Sequence, residues 1–131
     1  MKTLLNFVKD KNESCHNVGI YNIPCITCSS LYIGETGRNF KIRLQEHKNR
    51  VKNGDNAKSA VAKHVWKYKG QHAINWAASK IVFNEPRSNC RKLIEAIFIE
   101  QSTSRLMNSK NAHYNIHGEW KPIIPVLNPH L

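Results

Sequence analysis

Hydrophobic and polar positions divide the chain into stretches of different period. From Val18 to Pro24 and from Leu31 to Gly34 β-forming residues crowd together, with a brief Cys-containing segment between them. Two strands joined as a hairpin follow from that arrangement. A hairpin symmetric about Ile26-Thr27 sets Cys25 opposite Cys28, Tyr21 opposite Tyr32 and Gly19 opposite Gly34, with both tyrosines on one face of the sheet. Ile-Thr is a poor two-residue tip, because the favoured turns want Asn-Gly or Asp-Gly at positive φ. Something beyond the turn must hold this end closed, and a metal between Cys25 and Cys28 would do it.

After Gly34-Glu35-Thr36-Gly37 the period changes. Phe40, Leu44, His47 and Val51 recur at helical spacing and stop at Asn53-Gly54, where Gly54 suits a left-handed helix end. Ala57, Val61, His64, Val65 and Tyr68 form a second helical stripe ending at Gly70, and Ile74 to Phe83 reads as a strand. Arg87 to Ser104 is helical, with Leu93, Ile94, Ala96, Ile97, Phe98 and Ile99 making it apolar almost all round, as expected of a helix inside a domain. Residues 1–16 are polar with weak periodicity and read as a loose leader or linker, residues 17–122 as the domain, and residues 123–131 as a tail. Pro122, Pro125 and Pro129 exclude regular helix after Trp120, which is expected to anchor that tail on the core. The fold class is α/β in the broad sense, more narrowly α+β: a small, mainly antiparallel three-stranded sheet flanked by helices.

Composition narrows the partners. The 131 residues suit one domain, and 40% hydrophobic content with 22% charged residues excludes wholesale disorder. Twenty Lys and Arg against nine Asp and Glu, a formal charge of +11, favour a polyanion: nucleic acid first, an anionic membrane second. Met1 to Lys9 is too short and broken for a secretory h-region, and nothing approaches a membrane span. Four Cys without such a leader point to a reducing, intracellular compartment, where paired Cys and His more often hold metal.

Two constellations carry chemistry. Gly19-Ile20-Tyr21 is followed by Tyr32-Ile33-Gly34, then Gly37, then Arg43 on the first helix, with Glu95 in the most apolar stretch of the chain. A carboxylate among such residues is costly unless it is paired or ligates a cation, whereas Glu100 in the same helix suits the surface. These residues resemble the GIY-YIG nuclease family. Phosphodiester hydrolysis needs a base for water, a cation for the non-bridging oxygens and a metal for the leaving oxygen. The resemblance implies Tyr21 as general base or water-orienting phenol, Tyr32 as its hydrogen-bonding neighbour, Arg43 as phosphate clamp and Glu95 as holder of one Mg2+ or Mn2+. An unperturbed phenol, with a pKa of about 10, is a weak base at neutral pH, so the site must depress Tyr21 through Arg43, the metal or the substrate's charge. In the family a polar residue follows the acidic one by about a dozen positions, which falls on Asn108, with Asn115 a weaker rival. His47, one turn after Arg43, resembles a family histidine that contacts phosphate or hydroxyl; its place on the stripe with Phe40 and Leu44 equally suits a core histidine. Lys41, Lys48, Arg50 and Lys52 make the same helix a basic surface fit to track a backbone.

The second constellation is Cys25-x2-Cys28 with His64 and His72, a set able to close a tetrahedral Cys2His2 site at the hairpin tip. Thioredoxin-like C-x-x-C pairs sit where a strand meets a helix, whereas this pair bridges two strands. The long gap from Cys28 to His64 also excludes an ordinary ββα finger. Cys15-His16 is a rival ligand source, Cys90 reads as a small core residue, and His113 with His117 would make a metal pair only if that segment were helical.

A narrower resemblance rests on Ile23-Pro24-Cys25, Tyr32-Ile33-Gly34-Glu35-Thr36-Gly37-Arg38, Arg43-Leu44-Gln45-Glu46-His47, Ala62-Lys63-His64, Gln71-His72 and Trp120-Lys121-Pro122. These look like the endonuclease domain of Penelope-like retroelements. That resemblance implies a structural Zn2+ on the four ligands and DNA nicking that primes a reverse transcriptase, the polymerase belonging to a longer parent protein. It also implies a nuclear location. One active site per chain suits nicking unless the chain dimerises. Two rivals stand beside the enzyme: a catalytically idle nucleic-acid-binding module of the same fold, and a membrane-surface adaptor. The lack of a long basic amphipathic helix with bulky aromatics on one face weighs against the adaptor.

Overall fold

A computed structural model describes residues 17–108. Their order is β1 (Gly19–Pro24), β2 (Leu31–Thr36), α1 (Phe40–Asn53), α2 (Ala60–Lys67), a single 3-10 turn at Trp76–Ala78, β3 (Lys80–Asn84) and α3 (Ser88–Gln101). The three strands form one antiparallel sheet in the order β2-β1-β3, so the strand carrying Gly19-Ile20-Tyr21 is central. Tyr21 and Ile23 pack on one face with Phe40 of α1 and Val61 and Val65 of α2, while Ile20 and Ile33 pack on the other with Phe98 of α3. Coverage on both faces explains why β1 is nearly continuously buried.

The helix ends follow local chemistry. The Asn39 side chain accepts from the Lys41 N–H at the start of α1, and Gly54, at φ 68°, closes it with its N–H on the Arg50 and Val51 carbonyls. Ser59 caps α2 by accepting from the Ala62 N–H at 3.2 Å. That cap explains one correction: Ala57, expected on the α2 stripe, precedes the helix and is exposed. The stretch expected as one strand from Ile74 to Phe83 is instead an isolated bridge between Ile74 and Cys25, then the 3-10 turn, then β3. The Asn75 side chain accepts from the Ala78 N–H and so turns the chain before the strand begins. The third helix is shorter than Arg87 to Ser104, and it covers a face of the sheet instead of lying inside the domain. Ala96, Ile97 and Phe98 are buried, Ile94 and Ile99 only partly, and Lys92 and Glu100 are exposed. Among the described residues the single three-stranded sheet has no further layer that would enclose this helix.

The hairpin register is also corrected. Tyr21 faces Gly34, Ile23 faces Tyr32 and Gly19 faces Thr36, a two-residue shift from symmetry about Ile26-Thr27. An even shift preserves facing, so both tyrosines still share a face. The loop is longer than two residues: the Cys25 N–H donates to the Ser30 carbonyl at 3.0 Å, while Ile26 and Thr27 bond to Ala73. The free edge of β2 is covered as well. Leu31 exchanges backbone hydrogen bonds with Arg105 and Met107, and the Asn108 amide accepts from the Ile33 N–H and donates to its carbonyl. Cys15, His16, His113, Asn115, His117 and Trp120 lie outside the described residues. No helix among the described residues is long and apolar enough to cross a membrane.

Candidate active site

The site begins with two glycines. Gly19 sits at φ +152°, and a Cβ there would lie 2.0 Å from the Phe83 carbonyl oxygen, so only glycine lets β3 approach. Gly34 lies under the Tyr21 phenol, and a Cβ would stand 2.6 Å from its oxygen and 2.8 Å from the Tyr32 ring. Replacing Gly34 by alanine is therefore expected to displace Tyr21 and to destabilise the domain by about 1–3 kcal/mol, as overpacking does. Thermal unfolding checks this, an unchanged midpoint being the contrary result.

Above Gly34 three elements converge. Tyr21 from β1 is fully buried, and its hydroxyl is hydrogen-bonded to His47 Nε2 of α1 at 2.8 Å. Arg43, one turn earlier on α1, donates from Nε to the same oxygen at 3.2 Å. Tyr32 of β2 stands beside this pair, its ring centroid 6.0 Å from that of Tyr21 and 5.2 Å from that of His47. Glu46 steadies Arg43: its carboxylate takes Arg43 Nη1 at 3.4 Å and Arg38 Nη2 at 3.0 Å.

The electrostatics run against a ready-made base. Burial raises the Tyr21 phenol well above its ordinary value, Tyr32 adds to the rise, and Arg43 pulls against it without prevailing. The depression expected for Tyr21 is therefore absent in the free protein, because desolvation outweighs one cation. Burial, then Arg43 and Arg50, pushes His47 down to about 3, so it is neutral at working pH. Its Nδ1 has no hydrogen-bond partner among the described residues.

Glu95 reaches the edge of β2 from α3. It lines a cleft of about 560 Å³ together with Tyr32, His64 and Asn108. Burial, and the negative charge of Glu35, raise its carboxyl to about 7, with Arg43 pulling it down. No ion pair is formed by Glu95 among the described residues; Glu35 is held by Arg91 Nε at 2.7 Å. A cleft carboxylate without a cation is a fitting seat for a divalent metal, which would stabilise its ionised form.

At the far end of α2 the Cys2His2 set is assembled. The four ligand atoms of Cys25, Cys28, His64 and His72 lie within 4.8 Å of one another. His64 Nε2 is 3.2 Å from His72 Nδ1 and 3.5 Å from Cys28 Sγ, and Cys25 Sγ is 3.7 Å from His72 Nδ1. A zinc tetrahedron with Zn–N of ~2.05 Å and Zn–S of ~2.3 Å has N···N edges of ~3.3 Å and N···S edges of ~3.5 Å. The donor set fits such an ion. Tyr68 stacks on His72 with centroids 3.9 Å apart, fixing the ring from behind.

The model of the GIY-YIG catalytic domain matches residues 17–115, more than half of the chain. The chain belongs to the GIY-YIG family. No curated protein and no solved structure matches it. For a GIY-YIG chain the arrangement is coherent: Tyr21, Tyr32, Arg43 and His47 form one contact group, with Glu95 and Asn108 on the cleft that Tyr32 borders. Asn108 is placed differently from the rest, since its amide is occupied by the Ile33 backbone. Sequence reasoning missed Glu46, although a carboxylate three residues after Arg43 on a helix is a recognisable partner. It also missed the Glu35–Arg91 pair, which spans distant segments and leaves no local pattern.

Proposed function

We propose that this GIY-YIG domain is a metal-dependent DNA endonuclease that nicks one strand. The observation that carries the reading is the meeting of a phenol pair, a neutral imidazole and an Arg beside a cleft whose carboxylate, Glu95, forms no ion pair among the described residues. Among the described residues Arg43 donates to the Tyr21 oxygen and to Glu46 and is also hydrogen-bonded to Tyr32, and the rest of its guanidinium fork suits a non-bridging phosphate oxygen. A phosphate there offsets one of the cations that hold His47 down, so substrate binding makes His47 a better proton acceptor. Tyr21 connects His47 to Tyr32, and Tyr32 orients the attacking water at the cleft wall. Asn108 positions the edge of β2 that carries Tyr32. Glu95 would hold Mg2+ or Mn2+, which supplies Lewis-acid stabilisation of the leaving oxygen. Arg43→Ala, and equally Arg43→Lys, is expected to remove cleavage while the fold persists, because a Lys cannot serve Tyr21, Glu46 and phosphate together. Initial nicking rates check this.

The Cys2His2 set is proposed to hold one structural Zn2+. Four protein ligands leave no open position for water, so the ion ties the hairpin loop to α2 and takes no part in hydrolysis. Cys25→Ser and His64→Ala are each expected to release stoichiometric zinc and to lower the unfolding temperature, read by metal analysis and calorimetry; full zinc retention in both would refute the ligand set.

The resemblance to Penelope-like endonuclease domains supports a finer reading: the nick primes a reverse transcriptase, in the nucleus, within a longer parent protein. Its test is whether the nicked product carries a 3′ hydroxyl that a polymerase extends. Extension supports priming, and blocked ends contradict it.

A further inference from the structure

The cleft is bordered by charge that none of the roles above uses. Lys58, Lys63 and Lys67 come from α2 and the residue before its cap, and Arg105 comes from the segment that covers β2; all four are exposed and line the same cavity as Glu95. None forms an ion pair among the described residues, where the salt bridges all use Arg38, Arg43, Arg87 or Arg91. On α1, Arg50 donates to the Lys58 carbonyl and Lys48 lies over the Trp76 ring; in the cleft Lys67 likewise lies over the Tyr68 ring, 5.6 Å from its centroid, so the two faces are set apart by the cavity that only the second one lines among the described residues.

Resting on the nuclease reading, we infer that this cleft is the track of the cut strand, running from Glu95 along α2 toward the Cys2His2 set, with Lys63, Lys67 and Arg105 as its phosphate contacts. Four cations around a single carboxylate select a polyanion over a neutral ligand. Lys63 and Lys67 are one helical turn apart, ~6 Å along the axis, which is of the order of the distance between neighbouring phosphates on one strand. Leu106 and Met107 give the cleft an apolar part for sugars, where a bare cationic patch would have none. His64 lies between the two lysines and is itself in the ligand set, so the same cluster that closes the hairpin loop fixes the orientation of the lysine face.

The test is DNA affinity of the zinc-loaded chain for a 5′-labelled duplex of about 30 base pairs, measured across salt without added Mg2+ or Mn2+, where each phosphate contact contributes about 0.9 to the slope of log K against log salt. Lys63→Ala with Lys67→Ala is expected to weaken binding at least tenfold and to reduce the slope by about two, and the Arg pair at both positions to restore both. Lys80→Ala with Lys92→Ala, exposed lysines of β3 and α3 outside the cleft, removes the same charge and is expected to leave affinity within twofold. In cleavage with Mg2+, the cleft variant is expected to raise KM with kcat unchanged. An unchanged slope in the cleft variant, or an equal loss in the control, overturns the track. A wild-type chain that neither binds nor nicks DNA overturns the nuclease reading beneath it.

Discussion

Glu95→Gln is expected to lower Mg2+-dependent nicking by about a thousandfold or more while making the metal-free protein more stable above neutral pH. The catalytic loss reflects removal of the only carboxylate described on the cleft, and with it the several kcal/mol that a Lewis acid supplies to a departing oxygen. The stability gain follows from linkage. Glu95 has a folded pKa raised to about 7, so the fold favours its protonated form, and stability present below the ordinary carboxylate range is lost as pH rises toward 7. Glutamine mimics the protonated acid and escapes that loss. Discounted for the solvent that reaches the cleft, the gain is about 1 kcal/mol, a few degrees in unfolding temperature at pH 8.

His47 acts in the opposite direction. Its folded pKa, about 3, lies below the unfolded value, so its contribution is present above about pH 6.5 and is lost as acid is added. Between roughly pH 4.5 and 6.5 the two groups oppose one another in the wild type. In Glu95→Gln only His47 remains, and its stability should climb with pH across that window. Calorimetry of the zinc-loaded protein without Mg2+ or Mn2+ at pH 5, 6.5 and 8 reads both effects, and identical profiles for wild type and variant would contradict them.

Tyr21→Phe should reduce the cleavage rate by about a hundred- to ten-thousandfold, the range for loss of a proton-transfer group, with little change in DNA affinity. The ring still packs on Phe40 and over Gly34, so the sheet and α1 keep their places. What disappears is the oxygen that Arg43 and His47 share, leaving a fully buried imidazole without its partner at about 1–3 kcal/mol. Single-turnover rates with binding measured alongside separate the two quantities. Near-wild-type turnover would transfer the chemistry to Tyr32, which already borders the cleft.

Much of this site was legible because its parts are local. Gly19-Ile20-Tyr21 and Tyr32-Ile33-Gly34 announce a hairpin. Arg43 and His47 share a helix face by simple period, and Gly54 ends that helix at the predicted place. The Cys25, Cys28, His64 and His72 set could be anticipated from donor chemistry. The hairpin register could not, because Ile26-Thr27 carries no turn preference and the loop is held by Ala73 from a distant segment. The same is true of Tyr21: the base role that the family resemblance implies requires a depressed phenol, yet only the closed core shows that burial outweighs Arg43 in the free protein. The basic residues of α1 stood out in sequence as a block, whereas Lys63, Lys67 and Arg105 come together only when residues 105–108 fold along β2.

The most direct test of the central claim is nicking of supercoiled plasmid by the purified, zinc-loaded chain over a Mg2+ and Mn2+ titration, with Glu95→Gln run in parallel. The account predicts open-circular product that increases with either metal and is absent from the variant. Nicking that needs no divalent metal, or that continues in Glu95→Gln, would contradict it; a folded, DNA-binding chain that never nicks would identify it as the idle binding module.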